Sequence, residues 1–433
     1  MAQGMIERLI SELDSDDTAA RVTARDTLAT LGPPAVAPLL DRLRQPPSDR
    51  AGSMYVVTLQ RLGRFAFAPV VKALADEPEV AGELARVLRG LGPACLDEYL
   101  GVLDHVQPAI CAAAAGALGT PAALPHADRL LPLLADPAPE VRRSARAALT
   151  ALGEDAVPLL RHVRRHGPGA QRRGALAVLA ELVDPRDLDP ADRAAVRRLI
   201  RIKRLDETPH PLTACFLSWI AVRTGDQDAL LDLLGLTDPE PVTFTLGSSV
   251  ADADGHDGAD GPPFPQYARV YVTPELDGWT LLLGRWCSPI DAERTEEVAR
   301  ICRELSARYG SAQAYFHGAQ NDGSAWLVAE DGVILRRAAS EEYYEEGEEE
   351  AEEIGDPLPA ERLELARLAA EFDGEDLEFE WGFAQLDMAR KLAAALSIDP
   401  YGVGPATRVR GRGVLALTPY GVEYGVPPGA MPI

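Results

Sequence analysis

Apolar residues in the first half of the chain recur at i, i+4, i+8 and i+11, as in Ala20, Ala24, Leu28 and Leu31. That spacing lines one face of an α-helix, and arginines such as Arg21 and Arg25 fall on the opposite face. The pattern repeats along the chain. A shift of 121 residues lays Ala20, Ala24, Leu28, Leu31 and Gly32 on Val141, Ala145, Leu149, Leu152 and Gly153, and Arg21 and Arg25 on Arg142 and Arg146. Leu-Gly closes a helical stretch five times, at Gly32, Gly63, Gly92, Gly119 and Gly153, with 27 to 34 residues between successive glycines. That interval holds two antiparallel helices and their turns. A helix pair is too thin to bury its own apolar stripe, so each pair must stack on the next. The pattern predicts an all-α solenoid over residues 1–236.

The stretch Asp136-Pro137-Ala138-Pro139-Glu140-Val141-Arg142-Arg143-Ser144-Ala145 resembles the D-P-x-x-x-V-R-x-x-A signature of HEAT repeats, including the phycobilisome-lyase-like group. Glu77-Pro78-Glu79-Val80 lacks the arginine and Asp16-Asp17 lacks the proline. The resemblance spans roughly residues 5–235, six or seven helix pairs. It implies structural roles for Asp136 and Arg142 in a ladder between repeats. It implies little about function, because HEAT surfaces serve scaffolds, transport, lyases and DNA repair alike.

Within that region, Ala214 to Val222 reads as the last helical unit, with Trp219 in its core. Residues 237–267 read as a linker, since Gly247 to Pro265 is rich in Gly, Asp and Pro and nothing in it is periodic. The run from Asp252 to Gly258 fails the calcium-loop pattern: His256 stands where Asp or Asn belongs, and no glutamate closes it. From Ala268 the period changes to two. Strands are expected at 269–273, 279–283, 312–316, 325–329 and 333–337, with turns at Asp277-Gly278 and Glu330-Asp331-Gly332. Between them a helix is expected to start at Pro289, capped by Ser288 with Asp291, and to run to Gly310. Helices follow near 360–372 and 384–396, and Gly413 to Leu417 reads as a short strand. The order describes a smaller α+β domain over 268–433. Its strand pair around Trp279 to Gly284, its helix end at Leu305 to Gly310 and its Ala325-Trp326-Leu327 hairpin resemble a domain of uncharacterised bacterial proteins, some of them immunity-like. That resemblance assigns no functional residue.

Charge changes the picture in the second half. Residues 1–236 carry 28 Lys+Arg against 30 Asp+Glu, whereas the remainder carries 15 against 37. The C-terminal part should therefore repel nucleic acid and attract basic surfaces. A glutamate run at 341–353 reads as an extended acidic loop. No stretch is apolar enough to span a membrane and no signal peptide opens the chain, which points to a soluble cytoplasmic protein, in keeping with five cysteines that form no C-x-x-C pair.

Chemistry is sparse. No phosphate loop, dinucleotide fingerprint, nucleophile elbow or zincin motif is present. His162 and His166 share a helical spacing but sit among Arg161, Arg164 and Arg165. Cys287 with His317 is the one thiol–imidazole pair worth placing, and nothing in the sequence activates it. The reading assigns no catalytic, cofactor or metal residues and points away from an enzyme.

Two features could bind a partner. Arg161, Arg164, Arg165, Arg172, Arg173, Arg197 and Arg198, continued by Arg201, Lys203 and Arg204, would form a basic patch on adjacent repeats. That patch could be a solvated face, receive the glutamate run 341–353 of the same chain, or bind nucleic acid. Trp279, Trp286 and Trp326 lie in or beside the expected strands, as core or as a partner face. The leading expectation is a non-catalytic protein-binding protein, immunity-like or regulatory, with a basic protein partner. Nucleic-acid binding through the 161–204 patch is the alternative.

Overall fold

In the computed structural model, residues 2–45, 48–77, 80–183, 187–256, 264–319, 323–340 and 353–426 are described. The chain divides into two compact units, Met1–Leu182 and Val183–Ile433.

The first unit is a helical-repeat solenoid. Its helices are α1 (Ala2–Leu13), α2 (Thr18–Leu31), α3 (Val36–Leu43), α4 (Asp49–Leu62), α5 (Arg64–Asp76), α6 (Ala81–Arg89), α7 (Leu96–Gly101), α8 (Pro108–Ala117), α9 (Pro139–Ala151), α10 (Val157–His166) and α11 (Gly169–Leu182). Helices α2, α4, α6, α8, α9 and α11 each pack on the next in one file, with α1, α3 and α5 in a second. The repeat shift carries over to burial: Ala24 and Leu28 are buried on α2, as Ala145 and Leu149 are on α9. Prolines 121, 125 and 132 deny backbone donors to the segment after α8, which winds instead as 3-10 turns over 121–130 and 132–135.

The Leu-Gly dipeptides mark the turn inside each pair, for two different reasons. Gly32 has φ +70, a left-handed value that a side chain disfavours. Gly119 is needed for space, because a Cβ there would lie 3.2 Å from Cα of Ala148 and 3.1 Å from Cβ of Ala151 on α9. Neighbouring repeats are also linked by ion pairs at one repeat's separation. Arg50 pairs with Asp16 and Arg64 with Glu98, both 34 residues apart; Arg44 pairs with Glu77 at 33 and Arg146 with Glu181 at 35. The Arg146–Glu181 pair is half-buried, whereas exposed pairs such as Arg50–Asp16 each contribute about 0–1 kcal/mol.

The second unit begins with α12 (Pro190–Lys203) and is built on an antiparallel sheet. Its strands are β1 (Phe216–Val222), β2 (Thr237–Pro241), β3 (Arg269–Val272), β5 (Thr280–Leu283), β6 (Ser311–Gly318), β7 (Ser324–Glu330), β8 (Val333–Ala339) and β10 (Val414–Leu417), in the spatial order β2-β10-β3-β5-β1-β6-β7-β8. The short strands β4 (Glu275–Leu276) and β9 (Val409–Arg410) pair separately. Both expected hairpin turns have the backbone they need: Asp277 and Gly278 at φ +48 and +95, Asp331 and Gly332 at +46 and +83.

Both faces of the sheet are covered. On one, Ile220, Val222, Val272, Leu282, Ala314 and Leu327 share a core with α13 (Gln227–Leu234) and α15 (Thr295–Tyr309). On the other, cross-strand register sets Tyr271, Leu283, Trp219, Tyr315 and Trp326 in one row under α14 (Phe244–His256) and α18 (Met388–Leu396). Trp219 and Tyr315 stack with centroids 5.0 Å apart. Helices α16 (Pro359–Leu368), α17 (Gly374–Gln385) and α19 (Pro419–Tyr424) complete the unit.

Four expectations are corrected here. Residues 183–236 belong to the sheet unit, not to the solenoid. Phe216–Val222 is a central strand rather than a helix; an apolar run buried on both faces carries no period to separate the two. The linker 237–267 contains β2 and α14. The Ser288–Asp291 box exists, with Ser288 Oγ donating to Asp291 Oδ1 at 2.9 Å, but it organises a buried turn and the helix starts at Thr295.

Candidate functional site: an acidic, aromatic surface on the sheet unit

The basic residues predicted to share a groove fall in different units. Arg161, Arg164 and Arg165 lie on α10, and Arg172 and Arg173 on α11, of the solenoid. Arg164 and Arg165 stand in the last turn of α10, where positive charge meets the negative helix end. Arg172 Nε donates to the Gly167 carbonyl at 2.6 Å. Arg197 and Arg198 lie on α12 of the sheet unit, where Arg197 makes a two-pronged contact with Glu240 of β2, Nε to Oε2 at 3.1 Å. Of the glutamate run, 341–352 lies outside the described residues, and Glu353 pairs with Arg336 of β8 at 2.5 Å. Asp136 and Arg142 close the entry turn of their own helix: Asp136 Oδ1 accepts from the Ala138 amide at 2.8 Å, and Arg142 donates to the Asp136 and Pro137 carbonyls at 2.7 and 2.9 Å. Arg21, one repeat shift away, does the same with the Ser15 and Asp16 carbonyls.

The tryptophans divide as well. Trp326 and Trp286 are buried, and Trp286 stacks under the guanidinium of Arg294, 4.9 Å from its ring centre. Trp279 is half-buried beside the Asp277-Gly278 turn. Neither buried ring can serve as a partner face. The Cys287–His317 pair does not form. Cys287 is fully buried in the α13–α15 core, where burial pushes its thiol up to about 12. His317 is on the opposite face, its Nδ1 donating to the Leu386 carbonyl at 3.2 Å, and desolvation holds its pKa below the ordinary value.

The surface that stands out lies on α16 and α17, and its residues were not singled out from the sequence. Helix α16 is anchored by Glu361, which is 1% exposed, accepts from Arg336 of β8 at 2.8 Å and caps its own helix through the Leu358 amide at 2.8 Å. Helix α18 is fixed to the sheet by Ser324 Oγ, which accepts from the Ala389 amide at 3.0 Å. Lys391 of α18 and Arg367 of α16 both reach Glu364 at 2.9 Å, and their hydrogen bonds hold that carboxyl down at about 2. Between these anchored helices runs α17, in which no described residue is buried. Phe379 and Phe383, four apart on one face, are 71% and 58% exposed, and Leu363 of α16 is 73% exposed. Residues 359–385 carry eight acidic side chains against two arginines. An adjoining cleft of about 460 Å³ is lined by Phe383, Glu380, Asp387 and Arg390.

A second cavity, of about 500 Å³, lies between α12 and the β2–β10 edge, with Val196, Ile200, Leu415 and Leu417 in its wall. Its charged lining includes Arg197 and Arg269, which are engaged by Glu240 and Asp254. Among the described residues no helix is long and apolar enough to cross a membrane.

No protein-family model matches the chain, and no curated protein does. Several solved structures are similar to part of it. The complex of CpcE and CpcF of phycocyanin lyase from Nostoc sp. PCC7120 is 19% identical over 40% of this chain and 98% of that one, with a TM-score of 0.19. Two engineered proteins are 19% and 18% identical, covering 39% and 45% of this chain and 93% and 63% of theirs, with TM-scores of 0.21 and 0.24. Overlaps this low add nothing to what the stacked helix pairs already establish.

Proposed function

We propose that this chain is a non-catalytic binding protein whose α16–α17 surface docks a basic protein, neutralising or regulating it. The supporting observation is α17 itself. A helix that buries none of its described residues, yet carries two exposed phenylalanines on one face, gains little from its own fold. Contiguous exposed apolar surface with a polar rim is typical of an interaction site. Aromatic anchors supply affinity when a partner desolvates them, and surrounding like charge selects a partner of opposite sign and speeds its approach. Glu375, Asp376, Glu378 and Glu380 supply that charge. The HEAT-type solenoid would contribute a second protein-binding surface.

The test uses the full chain as bait in its native cell, followed by affinity measurement with the stoichiometric partner so obtained. The variant Glu375→Gln/Asp376→Asn/Glu378→Gln should bind that partner more weakly and with a shallower salt dependence than the parent. Equal affinity and equal salt slope would overturn the reading, as would salt-dependent retention of the chain on duplex DNA with no protein partner at low salt.

A further inference from the structure

We propose a divalent-metal site of the zinc type formed by Cys215, Asp252 and His256. The three side chains converge from two elements of the sheet unit. Cys215 immediately precedes β1, and Asp252 and His256 stand four apart on the last two turns of α14. A thiol sulfur, a carboxylate oxygen and an imidazole nitrogen lie within 4.8 Å of one another. Tetrahedral zinc, with bonds of about 2.0–2.3 Å, places its ligand atoms roughly 3.5 Å apart, so the three groups must close by up to roughly 1.3 Å to share one ion.

The groups are already oriented. The Cys215 amide donates to Asp252 Oδ1 at 3.1 Å, and the Cys215 carbonyl accepts from the Ala319 amide at 2.8 Å, which fixes the backbone that carries the thiol. His256 Nδ1 is 2.8 Å from the Asp252 carbonyl. The same Nδ1 faces Asp252 Oδ1 at 3.7 Å. A carbonyl only accepts, so in the empty site Nδ1 carries the proton, and a metal takes either Nε2, with its free lone pair, or Nδ1 after displacing that proton and its bond to the carbonyl. Phe216 stands edge-on to the same ring, at 5.9 Å. Cys215 is also the exposed cysteine, the other four being buried. One soft thiolate with an imidazole and a carboxylate suits Zn²⁺ or Co²⁺ rather than Ca²⁺ or Mg²⁺. Three protein ligands leave a fourth position for water or for a donor atom of a bound molecule. Binding converts the thiol to a thiolate and releases its proton to solvent.

The probe is Co²⁺, added to the full, reduced chain. The expected result is a thiolate-to-cobalt band in the near ultraviolet with intense visible bands of tetrahedral cobalt at one equivalent, displaced by Zn²⁺. Cys215→Ser should abolish the near-ultraviolet band, and His256→Ala should weaken binding at least tenfold. Both side chains are exposed, so far-UV dichroism should be unchanged. In the same samples Zn²⁺ should slow alkylation of Cys215. No thiolate band in the parent chain, or a band that survives Cys215→Ser, would overturn the proposal.

Discussion

Replacing Asp254 with alanine should destabilise the sheet unit by about 3–5 kcal/mol, the range for removing one partner of a buried ion pair. Asp254, on the last turns of α14, is 2% exposed, and Arg269, the first residue of β3, is 4% exposed. The guanidinium meets the carboxylate side-on, with Nε donating to Oδ2 at 2.8 Å and the terminal nitrogen reaching Oδ1. Truncating the aspartate leaves a buried cation without its counter-charge. Domains are stable by about 5–15 kcal/mol, so urea denaturation should show a large fall in midpoint. The double change Asp254→Leu/Arg269→Met should recover most of the loss, because apolar replacements of a buried pair are neutral or stabilising. A loss below about 1 kcal/mol for Asp254→Ala would mean that the pair is hydrated.

The second large effect is on binding. Phe379→Ala and Phe383→Ala should each weaken partner affinity by about 2 kcal/mol or more, at least roughly 30-fold apiece, as central aromatic anchors do. At 71% and 58% exposure these rings contribute little to the fold, so the unfolding free energy should change by no more than about 0.5 kcal/mol. That separation distinguishes an anchor from a structural residue. Titration calorimetry with the isolated partner reads the first quantity and urea unfolding the second. Unchanged affinity with both rings removed would place the contact elsewhere.

The residues behind these two predictions show where sequence reasoning succeeds and stops. The repeat was legible because stacked helix pairs impose one spacing many times over, and Ala24 and Ala145 answer to the same constraint. The hairpins at Asp277-Gly278 and Asp331-Gly332 were legible because only a few residues accept that backbone. Helix α14 was not. Gly247 resembles a loop residue, yet it is there because the Tyr271 ring passes 2.3 Å from where its Cβ would stand. Asp254 resembles a solvated residue and is instead the partner of Arg269. Glycine kept for close approach and aspartate kept for a buried pair have the composition of a linker; only the long-range partner tells them apart. The same misreading hid the Cys215–Asp252–His256 cluster, because the four-residue spacing matters only once 252–256 is helical and Cys215 lies beside it.

The α17 surface was missed for a related reason. The expected helices cover 360–372 and 384–396 and leave 373–383 without an element; Asp373 and Gly374 are residues that disfavour a helix interior. Its helix gains little from its own burial, and what holds it in place is the anchoring of α16 and α18 through Glu361 and Ser324. The acidic imbalance of the C-terminal half is legible in the sequence, but charge alone does not say which exposed aromatic side chains it surrounds.

Hydrogen–deuterium exchange is to be measured on the full chain, free and saturated with the stoichiometric protein recovered from its native cell. If α17 is the docking helix, protection on complex formation should be greatest across Gly374–Gln385, the helix that carries Phe379 and Phe383. Protection confined to other segments, with 374–385 exchanging at the same rate in both states, would contradict it.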